Sequence, residues 1–217
     1  MPSVIIAVRH GQSASNAAFD EASATGAAVD LGEPDHGTPL SPLGRRQAGE
    51  LGRRLAAGGA PEVVWCSPYL RAVQTWELAA AELDAAPEFR LEARLRDREM
   101  GALSGMNLAA IRERFPEEAE AMLARRYSYR APEGESMPDV ADRVREVLAD
   151  LRAECAGRQV LIVAHDAVVL MVKHVIEGIP LDRLDPFLPV RNASVSVWRG
   201  TRPEVFNDAG HLENVTF

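Results

Sequence analysis

Val4-Ile5-Ile6-Ala7-Val8 is an unbroken apolar run that stops abruptly at Arg9-His10-Gly11. An apolar run this short, without alternation, fits a strand buried on both faces, as parallel sheets require. Two later stretches share the form. Val63-Val64-Trp65-Cys66 leads into Ser67-Pro68, and Gln159-Val160-Leu161-Ile162-Val163-Ala164 leads into His165-Asp166. Helical patterns separate the three, so the expected fold is α/β: a three-layer α/β/α sandwich, mostly parallel, with helices on both faces. The carboxyl ends of parallel strands share one edge, where open α/β sheets bind ligands. Arg9-His10, Ser67 leading to Arg71, and His165-Asp166 are expected to meet there.

The intervening chain supplies the helices. Residues 17–37 show no sustained period and read as a long loop or a short irregular helix. Ser41-Pro42 is a helix start, with Leu43, Ala48, Leu51 and Leu55 as its stripe and Gly58-Gly59 as its end. Ser67-Pro68 repeats that start, for a helix reaching roughly residue 86. Phe89-Arg90-Leu91 suits an edge strand, residues 95–107 a functional loop, and 107–126 one or two helices broken near Pro116. Ser136-Met137-Pro138-Asp139 has capping-box spacing before a helix striped by Val140, Val144, Val147, Leu148 and Leu151. After the last apolar run a helix continues to Glu177, stopped by Gly178. Val195, Val197 and Val205 suggest edge strands able to pair between subunits. The expectation is one domain over 1–217 with a lid excursion at about 102–137.

Composition sets limits. The 217 residues carry a net charge of −8, with 47% hydrophobic and 26% charged residues. That balance argues against a general nucleic-acid or anionic-membrane surface. No signal peptide or spanning run stands out, and two cysteines, Cys66 and Cys155, suit buried thiols in a reducing compartment. A cytoplasmic protein, monomer or homodimer, is expected. No His/Cys/carboxylate spacing supports a metal site, and no cofactor is expected.

Neutral imidazole is a good nucleophile and guanidinium forks match phosphate oxygens, so two His and two Arg around one crevice suit phosphate chemistry. The string Arg9-His10-Gly11-x-Ser13-x-x-Asn16 resembles the signature of the histidine phosphatase (phosphoglycerate mutase-like) superfamily. Cys66 through Thr75 resembles its second motif, and Val160 through His165 its third. The resemblance spans Arg9 to Asp166 with the motifs in order. It implies that His10 is phosphorylated during turnover. Arg9, Arg71 and His165 would hold the phosphoryl group, and Gly11, Ser13, Asn16 and Asp166 would assist. His36, His174 and His211 match no motif.

The leaving oxygen needs a proton, hence a carboxyl group. Residues 95–107 resemble the family's acid loop, with Asp97 where a Glu is usual. Asp97 is therefore the first candidate, with Glu99 and Asp166 as alternatives. Arg125 and Arg126, before Gly134-Glu135-Ser136, are candidates for the substrate's non-reacting part. The resemblance implies a metal-independent phosphomonoesterase acting on a small phosphorylated metabolite and releasing inorganic phosphate. A phosphoglycerate mutase is the alternative, although Met100 and Leu108 fall where mutases place a substrate-binding Tyr and Lys. A phosphate-binding module without catalysis is the third reading.

Overall fold

The computed structural model describes residues 1–32 and 35–215. Six strands form one sheet in the order β3-β2-β4-β1-β5-β6. Strands β1 (Val4–Arg9), β2 (Val63–Cys66), β3 (Glu88–Leu91) and β4 (Gln159–Ala164) are parallel, β5 (Val195–Arg199) runs antiparallel to β1, and β6 (Arg202–Asp208) runs antiparallel to β5. Because successive side chains in a strand point to opposite faces, each apolar run feeds two cores. Ile5, Ala7, Val160, Ile162 and Ala164 pack on α6 (Met137–Glu154) and α7 (Asp166–Glu177). Val4, Ile6, Val8, Val64, Leu161 and Val163 face α2 (Pro42–Gly58) and α3 (Leu70–Ala80). Each fully buried aliphatic side chain contributes about 1.5–3 kcal/mol, so β1 and β4 anchor both layers. The result is an α/β sandwich with helices on both faces.

Three local expectations need correction. Residues 14–25 form a regular helix, α1 (Ala14–Thr25), because Ser13 and Asn16 build a reciprocal cap at its start and Gly26 closes it in a left-handed conformation. Of the loop that follows, residues 33 and 34 lie outside the described residues. The helix after Ser67-Pro68 begins only at Leu70 and ends at Ala80, with no side-chain cap, since Tyr69 rather than Ser67 takes the N-cap position. Strand β5 is not an edge: it lies between β1 and β6, and the two edges are β3 and β6. Pairing between subunits through Val195–Val197 is therefore blocked by the chain's own strands.

Between β3 and α6 the chain leaves the sandwich. Helices α4 (Leu108–Arg114) and α5 (Pro116–Ala124) break at Phe115, where Pro116 takes the first-turn position. Leu103, Ile111, Ala119, Tyr129 and Ala131 give this excursion an apolar cluster of its own. Backbone bonds from Leu31 to Gly105 (2.9 Å) and from Asn107 to Val29 (3.0 Å) stitch it to the loop after α1. No helix among the described residues is long and apolar enough to cross a membrane. Cys66 and Cys155 are both buried and neither is in a disulfide.

Candidate active site

His10 follows β1 directly and is 2% exposed. Its Nδ1 lies 2.7 Å from the Gly11 carbonyl oxygen, and Arg71 Nε donates to its Nε2 at 3.1 Å. The second contact needs a lone pair on Nε2, so Nδ1 carries the proton and Nε2 is the unprotonated nitrogen of the ring. Burial, reinforced by the positive potential of His165, Arg71 and Arg9, holds the imidazole pKa well below 6.5. The ring is therefore neutral at neutral pH, as nucleophilic attack requires.

His165 caps α7 from the end of β4 and is fully buried. Its ring centroid is 5.1 Å from that of His10 and 5.1 Å from that of Tyr69. The Ser67 hydroxyl meets its Nε2 at 2.8 Å, which fixes the ring and leaves Nδ1 on the site side, 3.3 Å from Asp97 Oδ2. Neither His165 Nδ1 nor Arg9 Nε has an aligned hydrogen-bond acceptor. Two buried donors without acceptors beside a neutral nucleophile suit an anion.

Arg71, on the first turn of α3, is 3% exposed. Besides His10 it donates to the Asp35 carbonyl (2.7 Å), to Asp35 Oδ1 (3.0 Å) and Oδ2 (2.9 Å), and to Asp97 Oδ2 (2.9 Å). Arg9 is held by its Nη1 donating to the Val190 carbonyl (2.6 Å), with Asp166 Oδ2 at 4.0 Å from Nη2. Burial opposes ionisation of Asp97, but His165 and Arg71 beside it outweigh that and keep the carboxyl well below the usual range. In the free protein Asp97 is a carboxylate.

These groups border a cavity of about 890 Å³, whose wall also includes Ser13, Asn16, Asp35, Tyr69, Arg98, Glu99, Arg126 and Asp166. His165 stands behind that wall. Phe19, Leu31, Met100, Met106 and Leu188 supply apolar surface to the same cavity. Two candidates are not part of the wall. The Gly11 N–H donates to Thr75 Oγ1 at 3.0 Å and so does not face a ligand. Gly11 is needed for a close approach instead, since a Cβ there would sit 2.5 Å from the Gly44 carbonyl oxygen. Arg125 turns away, its guanidinium 5.9 Å from the Tyr129 ring centroid. Arg126 reaches the rim but pairs with Asp185 at 3.1 Å. Glu99 borders the cavity while its carboxylate accepts from Arg96.

Sequence reasoning missed the support of the acid loop. Glu135 and Arg143, both buried, form a bidentate pair (3.0 and 3.0 Å), and Arg143 also donates to the carbonyls of Arg94 (2.6 Å) and Asp97 (3.0 Å). It missed Asp35 and Asn192 as well, whose amide donates to the His10 carbonyl at 3.1 Å. No spacing rule links any of these to the site. Thr75 was the accessible one, a turn after Arg71 on the same face of α3.

One atom each of His10, Asp97 and His165 lies within 4.8 Å of the others, a spacing that a metal ion could span. The guanidinium of Arg71 abuts two of the three, and Arg9 adds a second positive charge. That donor set favours an anion over a cation.

The chain is 30% identical to a 6-phosphofructo-2-kinase/fructose-2,6-bisphosphatase of Caenorhabditis elegans over 88% of its own length, but it spans only 37% of that relative. It is 32% identical to a 2,3-bisphosphoglycerate-dependent phosphoglycerate mutase of Nitrobacter winogradskyi, over 75% of each chain. A solved mycobacterial glucosyl-3-phosphoglycerate phosphatase in complex with VO3 superposes with a TM-score of 0.77 at 26% identity, covering 95% of this chain and 100% of the other. Bacillus stearothermophilus YhfR shares the fold, with a TM-score of 0.81 at 24% identity over 98% of this chain and 100% of that one. The profile of the histidine phosphatase superfamily (branch 1) matches residues 5–206, and the chain belongs to that family.

Proposed function

We propose that the protein is a metal-independent phosphomonoesterase working through a phosphohistidine on His10, with the 102–137 excursion as the lid of a single catalytic domain. The observation that carries this reading is the buried His10 ring, neutral, with Nε2 unprotonated and guanidinium groups on the same cavity. Nε2 attacks phosphorus in line. The charge on the equatorial oxygens is held by Arg71, Arg9 Nε and His165 Nδ1, of which the last two are already fixed by Val190 and Ser67. Ser13 and Asn16 border the same space.

Asp97 is the carboxylate that touches both Arg71 and His165, which favours it over Glu99 and Asp166 as the proton donor. A dianionic phosphoryl group takes those partners and adds negative charge beside Asp97. Both changes push its carboxyl upward, so the ester's arrival loads the acid. Once the alkoxide has left with that proton, the same carboxylate activates the water that releases inorganic phosphate.

The mutase reading draws on relatives bearing that name. Against it, Met100 borders the cavity where mutases carry a Tyr, Arg125 points away, and Arg126 is engaged by Asp185. A grip this sparse favours hydrolysis of the phosphoenzyme over reorientation of a bound intermediate. His10→Ala should abolish turnover of a chromogenic phosphate ester and labelling by a radioactive one. Full activity in that variant would falsify the proposal. Interconversion of 3- and 2-phosphoglycerate at a rate matching ester hydrolysis would favour the mutase.

A further inference from the structure

The guanidinium of Arg71 has no donor to spare. Its five N–H groups are taken by His10 Nε2, the Asp35 carbonyl, both Asp35 carboxylate oxygens and Asp97 Oδ2. A phosphoryl group can reach this fork only by displacing something. His10 must keep its place to attack, and Asp97 must stay close to protonate the leaving oxygen. Asp35 has no step in that chemistry.

We infer that Asp35 is a built-in occupant of the phosphoryl seat, one that an incoming ester must expel and that returns to help eject product phosphate. This rests on the reading of Arg71 as the phosphoryl ligand. Three observations support it. The Asp35 carboxylate straddles Nη1 and Nη2 at 3.0 and 2.9 Å, the bidentate geometry that phosphate oxygens adopt on the same fork. Its side chain is 35% exposed while that of Arg71 is 4%, so the carboxylate can swing into water and the guanidinium cannot. The chain on either side is anchored independently of Arg71. Leu31 bonds to Gly105 and Asp30 pairs with Arg114 before it, and Leu40 N donates to Gln74 at 2.9 Å after it. Asp35 sits between these anchors on a single 3-10 turn.

The consequence is selection by charge. A singly charged ester offers Arg71 no more than Asp35 already gives, and Asp35 competes from a tethered position. A phosphate dianion brings a second charge and a third oxygen for His165 Nδ1 and Arg9 Nε, both buried and without a hydrogen-bond partner. Asp35 thereby acts through Arg71 as a positioning and specificity residue, outside the bond-making steps.

Titration calorimetry with inorganic phosphate on the whole protein and on Asp35→Asn and Asp35→Ala tests this. Loss of the competitor should tighten phosphate binding at least about tenfold, the lower end for a charge-assisted pair. KM for p-nitrophenyl phosphate should fall and product inhibition strengthen in step. Singly charged p-nitrophenyl sulfate should become a competitive inhibitor of both variants. If both variants bind phosphate as weakly as the parent protein or more weakly, Asp35 merely orients Arg71 and the inference fails while the phosphatase reading stands. If parent and variants alike bind neither phosphate nor vanadate, the phosphoryl-site reading falls with it.

Discussion

Replacing Glu135 by Gln changes one atom and tests whether a buried ion pair holds the acid loop. One Glu135 oxygen accepts from Arg143 Nε and Arg96 Nη2, the other from Arg143 Nη2 and the backbone N–H of Glu99, all between 2.8 and 3.1 Å. A Gln amide must turn its NH2 toward one of these donor pairs, so two bonds are lost with the charge. Arg143, 7% exposed, then stays buried without a counter-ion. Breaking such a pair costs about 3–5 kcal/mol, which for a chain of this size lowers Tm by roughly 6–20 °C. Arg143 also donates to the carbonyls of Arg94 and Asp97, so a shifted guanidinium releases the acid as well. The kinetic readout is leaving-group dependence. A phosphate ester of an aliphatic alcohol needs a proton on its leaving oxygen, and p-nitrophenyl phosphate does not. Glu135→Gln should therefore slow the alkyl ester far more than the aryl ester, measured below Tm. Equal losses on both substrates, or a Tm within about 2 °C of the parent protein, would refute the reasoning.

Asp97→Asn should cut kcat for an alkyl phosphate by about 10²–10⁴, the usual worth of a general acid, with a much smaller loss on p-nitrophenyl phosphate. Similar losses on both would move the acid to Glu99 or Asp166. Ser67→Ala strips the buried His165 Nε2 of its partner, at about 1–3 kcal/mol of stability; thermal melts and kcat should fall together. The His10 pKa is depressed in the folded state, so below pH 6.5 the unfolded chain binds the extra proton first and stability drops as pH falls, by about 1.4 kcal/mol per unit at most. Melting curves from pH 7 to 5 should thus be less steep for His10→Gln than for the parent. Activity should persist below pH 6.5 rather than decline through it.

What could be read without coordinates was whatever a local period or spacing encodes. The strands at 4–9, 63–66 and 159–164 showed as apolar runs, and Arg9, His10 and His165 sit at run ends by construction. The helix at 14–25 escaped because its stripe is mostly Ala and its cap uses the same Ser13 and Asn16 that suggested ligand contacts. Strand β5 looked like an edge because Val195 and Val197 alternate with polar residues; those residues, Ser194 and Ser196, are in fact buried. Asp35, Glu135 and Arg143 act on partners 36, 39 and 46 residues away, separations that leave no trace in a one-dimensional pattern.

Strand β1 lies between β4 and β5, and both of those neighbours are encoded after residue 158. The strand that precedes His10 therefore depends on two flanks that lie far downstream of it in the chain. Until they pair with it, His10 lacks the ladder beneath it, the Asn192 amide at its carbonyl and the His165 ring at its side. Folding of β1 thus has to wait for long-range pairing that is intrinsically slow. The pocket around His10 is complete only once those distant partners have docked.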